Sequence, residues 1–239
     1  MPDLGFGLGP DEVEALLLSL RVACVATLAS LPLAVAVAWV LARCAFPGKA
    51  LLNGAVHLPL VLPPVVTGYV LLLLLGRNGP IGAFLDQTLG VVVAFRWTGA
   101  VVASAVMGFP LAVRAIRLSL ENVDRGLEAA AGSLGAPPFW VFLTVTLPLI
   151  TPGLLAGAIL CFAKSLGEFG ATITFVSNIP GETRTLSSAI YTFTQVPGGD
   201  GAALRLTLVA VAISLVALVA SEVLARRVAA RVGGHDALA

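Results

Sequence analysis

Five stretches of this chain are too long and too apolar to lie against water. A helix crosses the hydrocarbon layer with roughly 20 apolar residues, within a range of about 17–25. Val22–Ala42 supplies 21 without a charge, Ala50–Gly76 supplies 27, and Trp97–Val113 supplies 17 between Arg96 and Arg114. Arginines so placed keep their heads in the interface while their stems lie along apolar surface. Leu147–Ala163 runs uncharged up to Lys164, and Leu206–Ser221 gives 16 residues closed by Arg205 and Glu222. The pattern predicts an all-α membrane protein with five transmembrane helices, at about 17–41, 55–75, 96–116, 147–167 and 205–225. Residues 1–16 then form an external tail and 226–239 a cytoplasmic one.

Composition agrees. Charged residues make up 11% of the 239, and apolar residues 58%, against about 25% and 45–50% in soluble domains. An ordinary cytosolic enzyme and a disordered chain are both excluded. The net charge of +1 gives no sign of nucleic-acid binding. Cys24, Cys44 and Cys161 have no metal-type spacing and read as packing residues. His57 and His235 are isolated, so no metal is assigned.

Orientation follows from charge. Asp3, Asp11, Glu12 and Glu14 precede the first span where a signal peptide would carry basic residues, which predicts an uncleaved anchor with its N-terminus outside. Cytoplasmic segments then hold Arg43, Lys49, Arg114, Arg117, Arg125, Arg226, Arg227 and Arg231, against Arg77, Arg96, Arg184 and Arg205 outside. Basic residues favour the cytoplasmic side, so the C-terminus is placed inside.

Prolines are frequent in the spans: Pro32, Pro59, Pro63, Pro64, Pro110, Pro148 and Pro152. Each removes a helix donor. Two readings stay open, packing kinks or helices bent around a pathway. Gly153 and Gly157 form a GxxxG that permits close helix approach. Lys164 and Glu168, four apart, share a face of the fourth helix and can pair, either as a structural ion pair or beside a gate flanked by Gly167 and Gly170. Arg21 reads as an outer-interface side chain or a partner of Glu14 or lipid, and Trp39, Trp97 and Trp140 as interfacial anchors. The stretch 187–196 fits either a strand-like alternation or a short interfacial helix.

Between the third and fourth spans, 119–148 is too long for a tight turn. Asn122 or Asp124 can cap a short helix through Ala129–Ala131, and Pro137 permits a second after Gly132 and Gly135. The product is a helix–turn–helix elbow. This segment resembles the EAA loop of ABC-importer permeases: Glu128, Ala129 and Ala130, then Gly135 and Ala136, then Val145, Leu147 and Pro148. Glu128 stands one residue further from the glycine than the family pattern has it. Phe46–Gly76, Ala105–Glu121 and above all SLGEFGATITFVSNIPGETRT (165–185) resemble the molybdate-transport permeases, with sulfate-type permeases as the alternative.

The resemblance implies a type I ABC importer fold, a second copy of the chain, an external binding protein that delivers molybdate (or tungstate), and a bacterial cytoplasmic membrane location. It also implies a partner ATPase dimer coupled through Glu128, Ala129, Ala130, Gly135, Ala136, Leu147 and Pro148. A pathway or gate is expected at Pro63, Pro64, Thr67, Lys164, Ser165, Gly167, Glu168 and Thr172, with Glu168 orienting Lys164 or Ser165 rather than binding an anion. The chain has no GxxxxGK[ST], so ATP and Mg are expected on the partner, with no cofactor or catalytic residue here. An intramembrane enzyme lacks a catalytic set, and a secondary transporter would show internal repeats; neither is expected.

Overall fold

The computed structural model describes residues 7–233. The first six residues of the tail expected outside and the last six of the tail expected in the cytoplasm, His235 among them, lie outside the described residues. The described chain is helical: α1 (Pro10–Arg43), α2 (Lys49–Val61), α3 (Pro64–Leu75), α4 (Pro80–Leu89), α5 (Trp97–Glu121), α6 (Arg125–Ser133), α7 (Pro138–Val141), α8 (Leu147–Leu166), α9 (Gly170–Val176), α10 (Leu186–Gln195) and α11 (Asp200–Gly233). A π-helical turn, Phe142–Thr146, joins α7 to α8.

Among the described residues, four helical segments are long and apolar enough to cross a membrane: Pro10–Arg43, Trp97–Glu121, Pro138–Leu166 and Asp200–Ala220. A fifth would be α2 and α3 together, but they are bent by 114°. The straight helix expected over 55–75 is therefore two. A residue before proline is driven out of the helical region, and here two such residues are consecutive: Leu62 (φ −71°, ψ 145°) precedes Pro63, and Pro63 (φ −54°, ψ 133°) precedes Pro64. The isolated Pro32, Pro59, Pro110 and Pro152 sit within continuous helices. Pro148 is absorbed differently. A proline ring collides with the carbonyl four residues back, here Thr144, which lies in the wider π turn.

The centre is a three-helix packing of α1, α5 and α8. Small residues let the backbones approach: Ala34, Ala38 and Ala112 are fully buried in one cluster with Leu41, Ile116 and Ile150. The Gly153–Gly157 pair of α8 faces α5, where a Cβ on Gly157 would meet the Ala112 carbonyl at 3.1 Å. Such small-residue seams are the usual contact between membrane helices. Cys161 is buried here, whereas Cys24 and Cys44 are exposed rather than packed.

Helix α1 begins seven residues before the expected span, at Pro10, so much of the expected tail is helix. The reason is Glu12, buried and held by Arg205 of α11 through two hydrogen bonds of 3.1 Å, and by the Gly9 amide. Arg21 stacks on Trp97 of α5, 3.7 Å from the ring centroid, rather than reaching Glu14. The stretch 186–195 is helical, and the Leu186 amide donates to Ser19 of α1 at 2.6 Å.

Against α3 lies α9, and the contact is backbone to backbone. A Cβ on Gly68 would stand 2.5 Å from the Ala171 carbonyl oxygen and 2.9 Å from its Cα. Gly68→Ala is expected to destabilise the folded chain by about 1–3 kcal/mol, the usual cost of overpacking. The check is the thermal midpoint in detergent beside Gly54→Ala, where open space surrounds the new methyl. Equal midpoints would remove the close approach from the account.

Candidate functional site

Two places gather the residues singled out by sequence. The first is the elbow formed by α6 and α7. Asp124 opens α6 by accepting from the Gly126 amide at 2.7 Å, so it is the cap rather than Asn122. The helix closes with two linked bonds, Gly135 N–H to Gly132 O at 3.0 Å and Ala136 N–H to Ala131 O at 3.3 Å. That closure needs a left-handed residue after the last turn, and Gly135 has φ +91°. Pro138 then stands first in α7, with Pro137 just before it.

Glu128 turns inward. Its Oε1 accepts from Arg43 Nη2 at 3.1 Å and from Thr146 Oγ1 at 2.7 Å, tying α6 to the end of α1 and to the π turn. Arg43 also lies 5.8 Å from the centroid of Trp39, which packs edge-on against Phe142 at 5.3 Å. Ala129, Ala130, Gly135 and Pro148 are exposed, and Ala136 and Leu147 half-buried. Around them Leu127, Leu134 (89% exposed), Phe139 and Trp140 offer large apolar side chains to the outside. Arg43 and Thr146 were not legible as functional in the sequence: one is a charge closing a span, the other a threonine in an apolar run.

The second place is the break between α8 and α9. Helix α8 stops at Leu166 with Gly167 as its cap. Lys164 and Glu168 therefore do not share a helix face, because Glu168 lies beyond the helix end. They pair all the same: Lys164 Nζ donates to Glu168 Oε2 at 2.6 Å, and Oε1 accepts from the Ala171 amide at 2.9 Å. The first amides of a helix lack partners within it, so one carboxylate satisfies both an ammonium and the start of α9. The Glu168 side chain is 1% exposed and that of Lys164 30%.

Pro64 meets this break directly, since a Cβ on Gly170 would stand 2.7 Å from Pro64 Cβ. The α2–α3 bend at Pro63 and Pro64 is thereby brought against the start of α9, two residues after Glu168. Thr172 is buried and donates to the Phe169 carbonyl at 2.9 Å. Ser165 faces away, buried against α5 and donating to the Ser104 carbonyl at 3.3 Å, so Glu168 orients Lys164 and not Ser165. Thr67 is buried in α3, and its hydroxyl has no partner among the described residues.

Known proteins are similar to this chain. The molybdenum transport system permease protein ModB of Escherichia coli (strain K12) is 59% identical over 215 residues, 90% of this chain and 94% of that one. ModB of Haemophilus influenzae is 58% identical over 222 residues, covering 93% and 97%. The sulfate transport system permease protein CysT of Salmonella typhimurium is 37% identical over 227 residues, covering 95% and 81%. In fold, the chain is similar to a chain from the crystal structure of a bacterial alginate ABC transporter in complex with an alginate pentasaccharide-bound periplasmic protein. The TM-score is 0.72 at 18% identity, over 92% of this chain and 80% of that one. A family model for the inner membrane component of binding-protein-dependent transport systems matches residues 30–230. With that match and those relatives, the chain belongs to the family of binding-protein-dependent transport system inner membrane components, and is a transport permease rather than an enzyme.

Proposed function

We propose that this chain is the membrane-spanning subunit of an ATP-driven importer of molybdate. The observation that carries the reading is 59% identity to ModB along 90% of the chain. The sulfate alternative rests on relatives at 37% and 43% identity and is the weaker of the two. An external binding protein hands the anion to the outward-facing state, and ATP and Mg are bound by a separate pair of ATPase subunits. The N-terminus lies outside and the C-terminus in the cytoplasm, as the distribution of Lys and Arg favours. Two copies related by a twofold axis enclose the pathway.

The residues divide the work. Leu127, Leu134, Phe139 and Trp140, with Ala129 and Ala130 between them, form the apolar face on which an ATPase seats. Glu128 transmits its motion, because the bonds to Arg43 and Thr146 make the elbow move with α1 and α8 together. At the other end of α8, Lys164 is the cation that reaches the pathway. The buried Glu168 holds it in place and keeps the site from carrying a full positive charge that would retain a dianion. Gly167 and the Pro63–Pro64 bend supply the articulation.

Deleting the gene is expected to lower cellular molybdenum at limiting molybdate, and re-expression to restore it. Normal content in a strain without another importer would overturn the assignment. Restoration blocked by excess sulfate, but not by tungstate, would favour the sulfate reading.

A further inference from the structure

Two arginines belong to neither site. Arg114 and Arg117 stand three residues apart on α5, a spacing that places them on one face. Across a cleft of about 390 Å³ they meet Asn53 and His57 of α2, with Leu118 and Glu121 completing the wall. Arg117 is pinned: Nε donates to Glu121 Oε1 at 2.8 Å and Nη1 to Asn53 Oδ1 at 3.0 Å. The second bond orients the Asn53 amide and leaves its Nδ2 hydrogens for another acceptor. His57 Nδ1 lies 2.9 Å from the Asn53 carbonyl, which turns that ring into a fixed wall. Arg114 is exposed and takes part in none of the ion pairs among the described residues.

The cleft therefore sets two guanidinium groups against one carboxylate. Its spare donors are the Arg114 guanidinium, the remaining Arg117 N–H groups and Asn53 Nδ2. Guanidinium donors of this kind suit a phosphate-like oxyanion. The surroundings are apolar as well: Leu58 and Leu118 are exposed, and α2 buries none of its residues. A free dianion would use the donors and leave that rim idle, whereas an amphiphile uses both.

We propose that this cleft binds the phosphodiester of an anionic phospholipid, whose acyl chains lie along the exposed leucines of α2 and Leu118. Basic pockets between membrane helices on the cytoplasmic side are suited to such headgroups, and the assignment of leaflet rests on the orientation proposed above. The lipid bridges α2, which has few protein neighbours, to the central helix α5.

The test uses the purified transporter in phosphatidylcholine nanodiscs with and without phosphatidylglycerol, with retained lipid counted by native mass spectrometry. The wild type is expected to retain phosphatidylglycerol in preference to phosphatidylcholine. Arg114→Gln should weaken that retention about fivefold, the factor that about 1 kcal/mol per basic residue at an anionic surface represents. Arg77→Gln, which removes an equal charge from the exposed pair with Asp86, should leave it unchanged. Equal retention by wild type and Arg114→Gln would overturn the proposal. So would displacement of the lipid by molybdate alone that Arg114→Gln abolishes, since the cleft would then hold the free oxyanion. Labelling of Asn122→Cys by an impermeant maleimide in intact cells, in a chain with Cys24 and Cys44 replaced by serine because both are exposed, would overturn the orientation instead, and leave the retention result to stand by itself.

Discussion

Replacing Lys164 with methionine is expected to destabilise the folded chain by about 3 kcal/mol, and removing the Glu168 charge with it to recover most of that loss. Breaking a buried ion pair by deleting one partner costs about 3–5 kcal/mol, because the other charge stays buried and uncompensated. The low end applies here, since Lys164 is 30% exposed while Glu168 is 1% exposed. Glu168 cannot relieve itself by turning outward, because its second oxygen is held by the Ala171 amide. In Lys164→Met/Glu168→Gln no charge is left behind, and glutamine Oε1 can still accept from that amide. The measurement is the thermal midpoint of both single variants, the double variant and the wild type in detergent. A double variant as unstable as the sum of the singles would show that the pair is not coupled.

The second large effect is on transport. Gly135→Val is expected to lower molybdate uptake about tenfold at equal membrane content, with insertion intact. No atom crowds Gly135, so the obstacle is not a clash with a neighbour. It is the backbone: at φ +91° a β-branched residue carries strain of about 1–3 kcal/mol, and each 1.4 kcal/mol is about tenfold in a rate. The strain is relieved by opening the closure of α6, which misplaces Leu134 and Phe139 without touching a membrane helix. Gly135→Asn is the control, because asparagine tolerates the left-handed region. Full uptake by the valine variant would remove the elbow from the coupling path.

How much of this was legible beforehand differs from element to element. Asp124 and Gly135 act within a few residues of their own position, and the elbow could be read from them, although α7 starts at Pro138 rather than at Pro137. The bend at Leu62–Pro63 was legible in principle, because two consecutive residues before proline cannot both be helical; an apolar run of 27 residues concealed it. The inward turn of Glu128 was not legible at all. Its partner Arg43 is 85 positions away, and nothing near either residue specifies the other. The same holds for Glu12 and Arg205, 193 positions apart.

The sequence by itself therefore determined that the chain is a bundle of apolar helices, and that a helix–turn–helix elbow lies between the third and fourth spans. Apolar runs, prolines and glycine act through local solvation and backbone sterics, which need no neighbour. Only the tertiary structure decided that Glu128 is a tie inside the chain, that Glu168 caps α9 while holding Lys164, and that Pro64 rests on Gly170. These depend on which helices lie side by side, and that is settled by the packing of small residues across α1, α5 and α8 and between α3 and α9. A charge at the depth of the hydrocarbon layer must find its partner through that packing, because acyl chains offer it none.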